Sequence, residues 1–178
     1  MLRGMPRLNT DTREEVKAVA LELFSDNGFE QTSLREIAER LGITKAALYY
    51  HFASKKDLLN ALLEPLLKDV GAFLEELPPE PRGALEAYFD LCYTHRRLFL
   101  GLLRDVQVMN QLDLVHAVIG WRTRLDTLLA GPEPADRVRA VVALGGLQDT
   151  VILFVDHPDL HTTIRTQAIA AALRALQP

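Results

Sequence analysis

Residues 33–55 have the sequence S-L-R-E-I-A-E-R-L-G-I-T-K-A-A-L-Y-Y-H-F-A-S-K, and this stretch decides the fold of the first third of the chain. Ser33 and Glu36 stand three residues apart, the spacing of a capping box that opens a helix. Gly42 predicts the end of that helix, because glycine readily adopts the left-handed conformation of a C-terminus. Thr44 can cap a second short helix. Two short helices joined by a tight turn predict a helix-turn-helix unit, whose second helix enters the major groove of DNA.

Helices are also predicted on both sides of this unit. Capping boxes at Thr12–Glu15 and Ser54–Asp57 each precede apolar residues at helical spacing. The helix that begins at Thr12 is predicted to end at Asn27–Gly28, and the helix that begins at Ser54 is predicted to run towards Leu77. Pro65 lies inside the helix that begins at Ser54 and predicts a kink there, since proline removes one backbone hydrogen bond.

The rest of the chain also has helical periodicity. We find no alternating strand pattern and no internal repeat, so the predicted fold class is all-α with about nine helices. The predicted domains are 1–56, a three-helix DNA-binding domain, and 57–178, a helical ligand-binding and dimerisation domain. Prolines and glycines separate the helical segments predicted at 83–96, 98–109, 112–129, 135–155 and 159–176.

Composition narrows the class of protein. A single cysteine in 178 residues excludes an intrachain disulfide. No run of about 18 apolar residues predicts a membrane span, and the N-terminus lacks the apolar core of a signal peptide. We therefore expect a cytoplasmic, nucleoid-associated protein that does not bind membranes. Residues 1–60 hold nine Lys or Arg and nine Asp or Glu, so the net charge of −4 comes from the rest of the chain.

The second helix of the unit has two predicted faces. Leu48 and Phe52 stand four apart and are expected to be buried, which leaves Lys45 and its neighbours pointing outward. Small alanines allow close approach to base edges, and their methyl groups can contact thymine. Hydroxyl, imidazole and ammonium groups can donate to phosphates. The candidate DNA-contacting residues are Thr32, Ser33, Thr44, Lys45, Ala46, Ala47, Tyr49, Tyr50, His51 and Lys55.

The segment Phe24–Leu58, F-S-D-N-G-F-E-Q-T-S-L-R-E-I-A-E-R-L-G-I-T-K-A-A-L-Y-Y-H-F-A-S-K-K-D-L, closely resembles the DNA-binding domain of TetR/AcrR-family regulators. The run L-Y-Y-H-F-x-S-K-x-x-L is its most specific part. The resemblance implies an Ω-shaped homodimer, in most members a repressor that a small molecule releases from DNA. It places Lys45, Ala46 and Ala47 at base-contacting positions, Tyr49, His51 and Lys55 at phosphate contacts, and Thr44 at the turn.

Two features of the sequence leave undecided which residues contact DNA. Ala46 replaces a frequent Gly or Pro of the family, and Ala47 a frequent Ser or Thr, so hydrogen-bond recognition of bases rests heavily on Lys45. The segment Met1–Asn9 carries Arg3 and Arg7. It is either an arm that reaches the minor groove or a disordered tail.

The predicted helices at 135–155 and 159–176 are apolar on more than one face. This pattern indicates that other helices pack on both sides of each of them. Small residues in these segments allow close helix approach. We expect a dimer interface of two helices from each subunit, and a two-fold axis would match a palindromic operator with half-sites about 34–36 Å apart or somewhat more. An ordinary monomer core is the alternative. The predicted interface residues are Val138, Val142, Gly145, Gly146, Ile152, Ile164, Ala168 and Ala172.

Side chains with a polar tip on otherwise apolar helices are candidates for an effector pocket, and most are expected to be plain core. The mixture favours a mainly apolar small molecule held by few polar groups, and its identity stays open. The candidate residues are Phe73, Tyr88, Phe89, Cys92, His95, Phe99, Met109, His116, Trp121, Leu147 and Gln148.

Other chemistries are weakly indicated. Cys92 has no obvious cation to activate it, which favours a buried inert thiol over a redox sensor. His157 and His161 flank Pro158, so their rings need not share a face, and no metal or other cofactor is expected. We find no catalytic constellation and expect no enzyme. The hypothesis is a ligand-responsive DNA-binding repressor. The alternatives are an activator of the same fold and a protein-interaction module that uses the helix-turn-helix unit.

Overall fold

Nine α-helices and one π-helical turn make up the part of the chain that the structure describes. The structure is a computed structural model that describes residues 9–104 and 114–177, with side chains at 12–103 and 120–177. Neither range contains a β-strand, and none of the described helices is long and apolar enough to cross a lipid bilayer. In chain order the elements are α1 (Asn9–Asn27), α2 (Leu34–Leu41), α3 (Lys45–His51), α4 (Lys55–Glu75), α5 (Pro81–Thr94), α6 (Arg96–Arg104), α7 (Leu114–Ala130), α8 (Pro134–Leu153), the π-helical turn (Leu160–Ile164) and α9 (Arg165–Ala175).

The predicted all-α fold is confirmed, and the helices end where glycine and proline predict. Gly28, Gly42 and Gly131 follow α1, α2 and α7 with φ of 90°, 67° and 98°. These left-handed values favour glycine, since a Cβ would clash with the neighbouring carbonyl. Pro81 begins α5, where its missing N–H costs no helical hydrogen bond.

Two predicted helix boundaries are wrong. Thr12 lies inside α1, which is already helical at Asn9, so the capping box at Thr12–Glu15 is not a helix start. Asparagine, threonine and aspartate precede Thr12 and favour helix starts as well, so the local pattern offered several. The segment predicted as one helix from Asp159 begins with the π-helical turn instead, and this wider turn accompanies the burial of Leu160 in the core.

The first of two cores buries the apolar faces of α1, α2, α3 and α4. It includes Val16 of α1, Ile37 of α2, Leu48 of α3 and Leu58 of α4, all fully buried. Leucines of α4 as far as Leu66 belong to the same cluster. The N-terminal core therefore extends along α4 beyond the domain division that we predict after residue 56.

The second core lies among α5, α7, α8 and α9. Tyr88, Leu125, Leu144 and Ile169 are each fully buried or nearly so, one from each of these helices. An ion pair reinforces the contact of α5 with α9, since the Arg165 guanidinium donates two hydrogen bonds of 2.8 Å to the Asp90 carboxylate. The paired geometry fixes the relative position of the two helices more specifically than a single contact.

Helix α6 joins the two cores. Leu98 and Leu102 lie in the first core, while Phe99 packs at the edge of both. Gly101 brings the α6 backbone close to α1: a Cβ there would lie 3.2 Å from the Phe24 carbonyl oxygen and 3.3 Å from its carbon. The helix-turn-helix unit is therefore held against the C-terminal half by a backbone-to-backbone approach that a larger residue would prevent.

Replacing Gly101 by valine should separate α1 from α6 and lower the free energy of unfolding by roughly 1–3 kcal/mol, the usual cost of overpacking a tight contact. Urea denaturation followed by circular dichroism measures this change. Gly71→Val is the matched control, because Gly71 lies on the exposed side of α4 and a Cβ there meets nothing within 4 Å. Equal stability of the two variants would contradict the close approach.

Candidate functional site

Local hydrogen bonds shape the helix-turn-helix unit. The Ser33 hydroxyl accepts from the Glu36 amide at 3.1 Å, and the Thr44 hydroxyl accepts from the Ala47 amide at 3.1 Å. These bonds cap α2 and α3, and the left-handed Gly42 lets the chain turn between them. The two predicted caps are confirmed. Because every bond is local, the sequence of this segment alone sets the turn.

Helix α3 has the two faces that its sequence predicts. Leu48 and Phe52 are buried in the first core, whereas Lys45, Ala46 and Tyr50 are exposed. Tyr50 keeps 77% of its surface, far more than a tyrosine used for packing. The outward face of α3 also includes the exposed Tyr49 and the half-buried Ala47 and His51.

The exposed side chains combine donors with flat rings. The Lys45 ammonium lies 5.4 Å from the Tyr49 ring centroid, and the rings of Tyr50 and His51 meet edge to face at 5.4 Å. Ammonium, phenol and imidazole groups on one short helix can donate to phosphate oxygens and base edges. Ser33 is exposed as well, at the start of α2. The face is suited to a polyanion.

Lys55, which the resemblance places at a phosphate contact, bonds to backbone carbonyls within the protein. Its ammonium donates to the carbonyls of Phe29 at 2.9 Å and Thr32 at 3.2 Å, with that of Glu30 at 3.4 Å. It also lies 4.3 Å from the Phe29 ring centroid. The charge therefore binds the loop between α1 and α2 to the start of α4. This long-range contact has no signature in the local sequence.

Thr32 is wrong as a candidate contact. It is buried, and its hydroxyl lies 2.9 Å from the Gly28 carbonyl oxygen and 3.2 Å from that of Leu23. Its backbone amide donates to the Phe29 carbonyl at 3.2 Å. Both polar groups thus serve the loop after α1, because the chain folds back at Gly28 and turns Thr32 inward.

Arg13 is a structural residue of the unit that our sequence analysis missed. Its Nη1 donates to the His51 carbonyl at 2.7 Å, and its guanidinium lies 4.3 Å from the Phe52 ring centroid. A cation at the carboxyl end of α3 satisfies a carbonyl without a helical partner and is favoured by the helix dipole. Since 38 residues separate the partners, no local pattern indicates the contact.

Comparison with known proteins agrees with this geometry. The family model for bacterial regulatory proteins of the tetR family matches residues 18–62. The HTH-type transcriptional regulator AcrR of Shigella flexneri is 37% identical over 178 residues, which cover 98% of this chain and 78% of that protein. The chain belongs to the TetR/AcrR family. It is a DNA-binding transcriptional regulator, and the relatives are regulators rather than enzymes.

Two further comparisons show how the likeness is distributed along the regulator. The class C tetracycline repressor of Escherichia coli is 48% identical over 60 residues, 34% of this chain and 27% of that protein. A transcriptional regulator from Aquifex aeolicus VF5 superposes with a TM-score of 0.73 at 23% identity, covering 93% of this chain and 99% of that chain. The fold is thus shared over nearly the whole chain, whereas the match to the tetracycline repressor covers only about a third of it.

The candidate effector residues do not all lie in the same core. Tyr88, Phe89, Cys92 and Leu147 are buried in the second core, and Phe73 and Trp121 pack at its edge with Phe99. His95 lies apart from them and bonds through Nε2 to Asp69 Oδ2 at 2.8 Å. Met109 and the side chain of His116 lie outside the described residues, as does the predicted arm through residue 8.

A polar network crosses the second core of the regulator. The Tyr88 hydroxyl donates to Gln148 Oε1 at 3.2 Å and accepts from Arg122 Nη1 at 3.3 Å. Arg122 Nε in turn lies 3.2 Å from Asp126 Oδ1. Asp126 is buried, so its carboxylate depends on this pairing. We predicted Tyr88 and Gln148, and missed Arg122 and Asp126, although their spacing of four residues on one helix was visible.

Cys92 is an inert thiol by its surroundings. It is buried beside Tyr88, and burial raises the pKa of the Cys92 thiol to about 12. Burial likewise raises the pKa of the Tyr88 phenol well above its ordinary value. Because the thiolate is the reactive form, a raised pKa opposes the redox role that we set aside.

The histidines near Pro158 have separate partners. His157 Nδ1 accepts from the Asp159 amide at 3.1 Å, whereas His161 lies 3.4 Å from Asp90 and stacks 4.5 Å from the Tyr93 ring. Within the described residues, no group of three His, Cys, Asp or Glu side chains is placed to hold a metal ion.

Three of the eight predicted interface residues are exposed, and all three lie on α8. Val138 and Val142 of α8 are 61% and 59% exposed, and Gly146 is exposed as well. Gly145, Ile152, Ile164 and Ala168 are half-buried. Ala172 is wrong as an interface residue: it is 4% exposed and belongs to the second core. Its position three residues after the buried Ile169 places it on the inner side of α9.

Replacing Lys55 by methionine should lower the free energy of unfolding by about 1–3 kcal/mol, since three carbonyls lose a charged donor. The expected salt dependence of DNA binding is unchanged. Urea denaturation and anisotropy titrations across salt measure the two effects. Lys56→Met, which removes the neighbouring exposed ammonium, is the control. Unchanged stability with a salt slope reduced by ~1 would instead establish Lys55 as a phosphate contact.

Proposed function

We propose that the protein represses transcription by binding a palindromic operator as a homodimer, and that a small, largely apolar effector releases it. The observation that carries the proposal is the exposed face of α3, where Lys45, Tyr49 and Tyr50 project from a helix whose other side is fully packed. Such a face supplies donors to DNA without weakening the core. The family supplies the coarser statement, a DNA-binding transcriptional regulator.

Specific contacts are assigned by position on α3. Lys45, Ala46 and Ala47 occupy the first turn and contact bases, Lys45 as the donor and the alanines through their methyl groups. Tyr49, Tyr50 and His51 lie further along the helix and contact phosphates, together with Ser33 and the hydroxyl of Thr44. The phosphate contacts fix the register in which Lys45 meets its base.

Two subunits are needed because α3 has only seven residues and meets few base pairs. The outer face of α8 supports the dimer. Val138, Val142 and Gly146 are spaced four apart and so lie along one side of the helix, where they expose an apolar stripe. Apolar patches rimmed by polar residues mark interaction sites, and the glycine permits close approach of a second helix.

The effector acts through helices that belong to both cores. Helix α4 begins four residues after α3 and carries leucines of the first core, and α6 contacts α1 at Gly101. An effector bound near the Tyr88–Gln148 pair would favour one placement of α4 and α6 over another. Release from DNA then requires only that the effector bind the two placements with different affinity.

Anisotropy titrations on DNA from immediately upstream of the protein's own gene, with a scrambled duplex as competitor, test the DNA contacts. Lys45→Ala should reduce the affinity ratio between the two duplexes by about tenfold or more, as loss of a base contact does. Lys68→Ala, which removes an exposed ammonium from α4, should leave the ratio unchanged. Equal weak binding of both duplexes by the unaltered protein would favour a protein-interaction module.

Replacing Val142 by glutamate should abolish the dimer, because a charge would be buried at the centre of the apolar stripe. Light scattering should then give the mass of one chain, 19.9 kDa, and operator affinity should fall. Leu67→Glu is the control, since Leu67 is 48% exposed on α4, away from α8. A Val142→Glu protein that remains dimeric would show that α8 does not form the interface.

A further inference from the structure

A cavity of about 320 Å³ lies between the helix-turn-helix unit and the C-terminal half, apart from the Tyr88–Gln148 pair. Helix α1 forms one wall, α4 a second, and the corner between α5 and α6 a third. This volume is at the lower end of the range for small-molecule sites. The cavity is lined by Glu14, Lys17, Ala18, Leu21, Leu62, Pro65, Thr94, His95, Arg96, Arg97 and Leu98.

The lining divides into an apolar part and a cationic part. Leu21, Leu62, Pro65 and Leu98 supply aliphatic surface from all three walls. The charged lining is positive in sum, because Lys17, Arg96 and Arg97 outnumber the single carboxylate of Glu14. An amphipathic anion fits such a division, since its chain can contact the leucines while its charge remains near the guanidinium groups.

Most cations of the lining already have a carboxylate partner. Lys17 lies 2.9 Å from Glu14, and Arg97 lies 3.3 Å from Asp156. Arg96 differs. Among the described residues its Nη1 donates to the Tyr93 carbonyl at 2.8 Å, and its guanidinium stacks 4.3 Å from the Tyr93 ring, while its Nε is buried without a hydrogen-bond partner.

The Arg96 Nε has too little exposed surface to meet a ligand, so an anion in the cavity would contact the terminal nitrogens of the guanidinium, which have no carboxylate partner among the described residues. Arg96 is also the first residue of α6, so the positive end of that helix dipole lies at the same corner as its side chain. The arginine and the helix start together favour a carboxylate over a neutral or cationic group.

We propose that this cavity binds a carboxylate with a short apolar chain, and that Arg96 binds its carboxylate. The site is separate from the effector site proposed above. Its occupant would contact α1, α4 and α6 at once and would thereby hold the helix-turn-helix unit in its present position against the C-terminal half.

Isothermal titration calorimetry with octanoate tests the proposal without DNA, so it stays distinct from a test of repression. Octanoate should bind measurably better than octylammonium or octanol, which have the same chain and a different head group. Equal binding of all three, or no binding of octanoate, would overturn the proposal.

Two variants locate the bound octanoate. Arg96→Gln should weaken octanoate about tenfold or more, with Arg124→Gln, an exposed arginine of α7, as the charge-matched control. Ala18→Leu should block the site, because the larger side chain fills it from α1. The thermal melting curve of this variant should remain cooperative. Ala72→Leu, on the exposed side of α4, is its control. Unchanged octanoate affinity in both Arg96→Gln and Ala18→Leu would place binding elsewhere and overturn the assignment.

Discussion

The close contact of α6 with α1 at Gly101 is the constraint on which the rest of the structure depends. It brings two helix backbones together, so that Leu98 and Leu102 of α6 enter the core of the helix-turn-helix unit. The same helix carries Phe99 into the second core. A DNA-binding unit attached only by the start of α4 could turn freely. The packing of α6 on α1 is a second connection between the C-terminal half and the helix-turn-helix unit.

Two cations of the N-terminal unit stabilise its fold by donating hydrogen bonds to backbone carbonyls. Lys55 binds carbonyls of the loop after α1, and Arg13 binds the carboxyl end of α3. Arg13 thereby satisfies a carbonyl at the end of α3, whereas Lys55 bonds to carbonyls of the loop itself. The basic surface available to DNA is therefore smaller than a count of Lys and Arg indicates. On α3 it consists of the Lys45 ammonium, which lies beside the Tyr49 ring.

Two groups of polar side chains in the C-terminal half differ in whether their hydrogen-bonding atoms have partners. Around Tyr88 the donors and acceptors satisfy one another, because Gln148, Arg122 and Asp126 form a connected network. Around Arg96 one buried donor has no partner among the described residues. A satisfied network stabilises the core and fixes its packing, whereas an unsatisfied buried donor costs free energy.

Local chemistry in the sequence was enough to predict the helices, their glycine ends, the caps at Ser33 and Thr44, and the two faces of α3. These features depend on residues within four positions of one another, so a linear pattern contains them. Only the tertiary structure decided that Thr32 turns inward, that Lys55 and Arg13 bind distant carbonyls, and that Ala172 belongs to the core. It also decided that α1, α4 and α6 line one cavity. Each depends on groups brought together from separate helices, and the packing that brings them together has no signature in the local sequence.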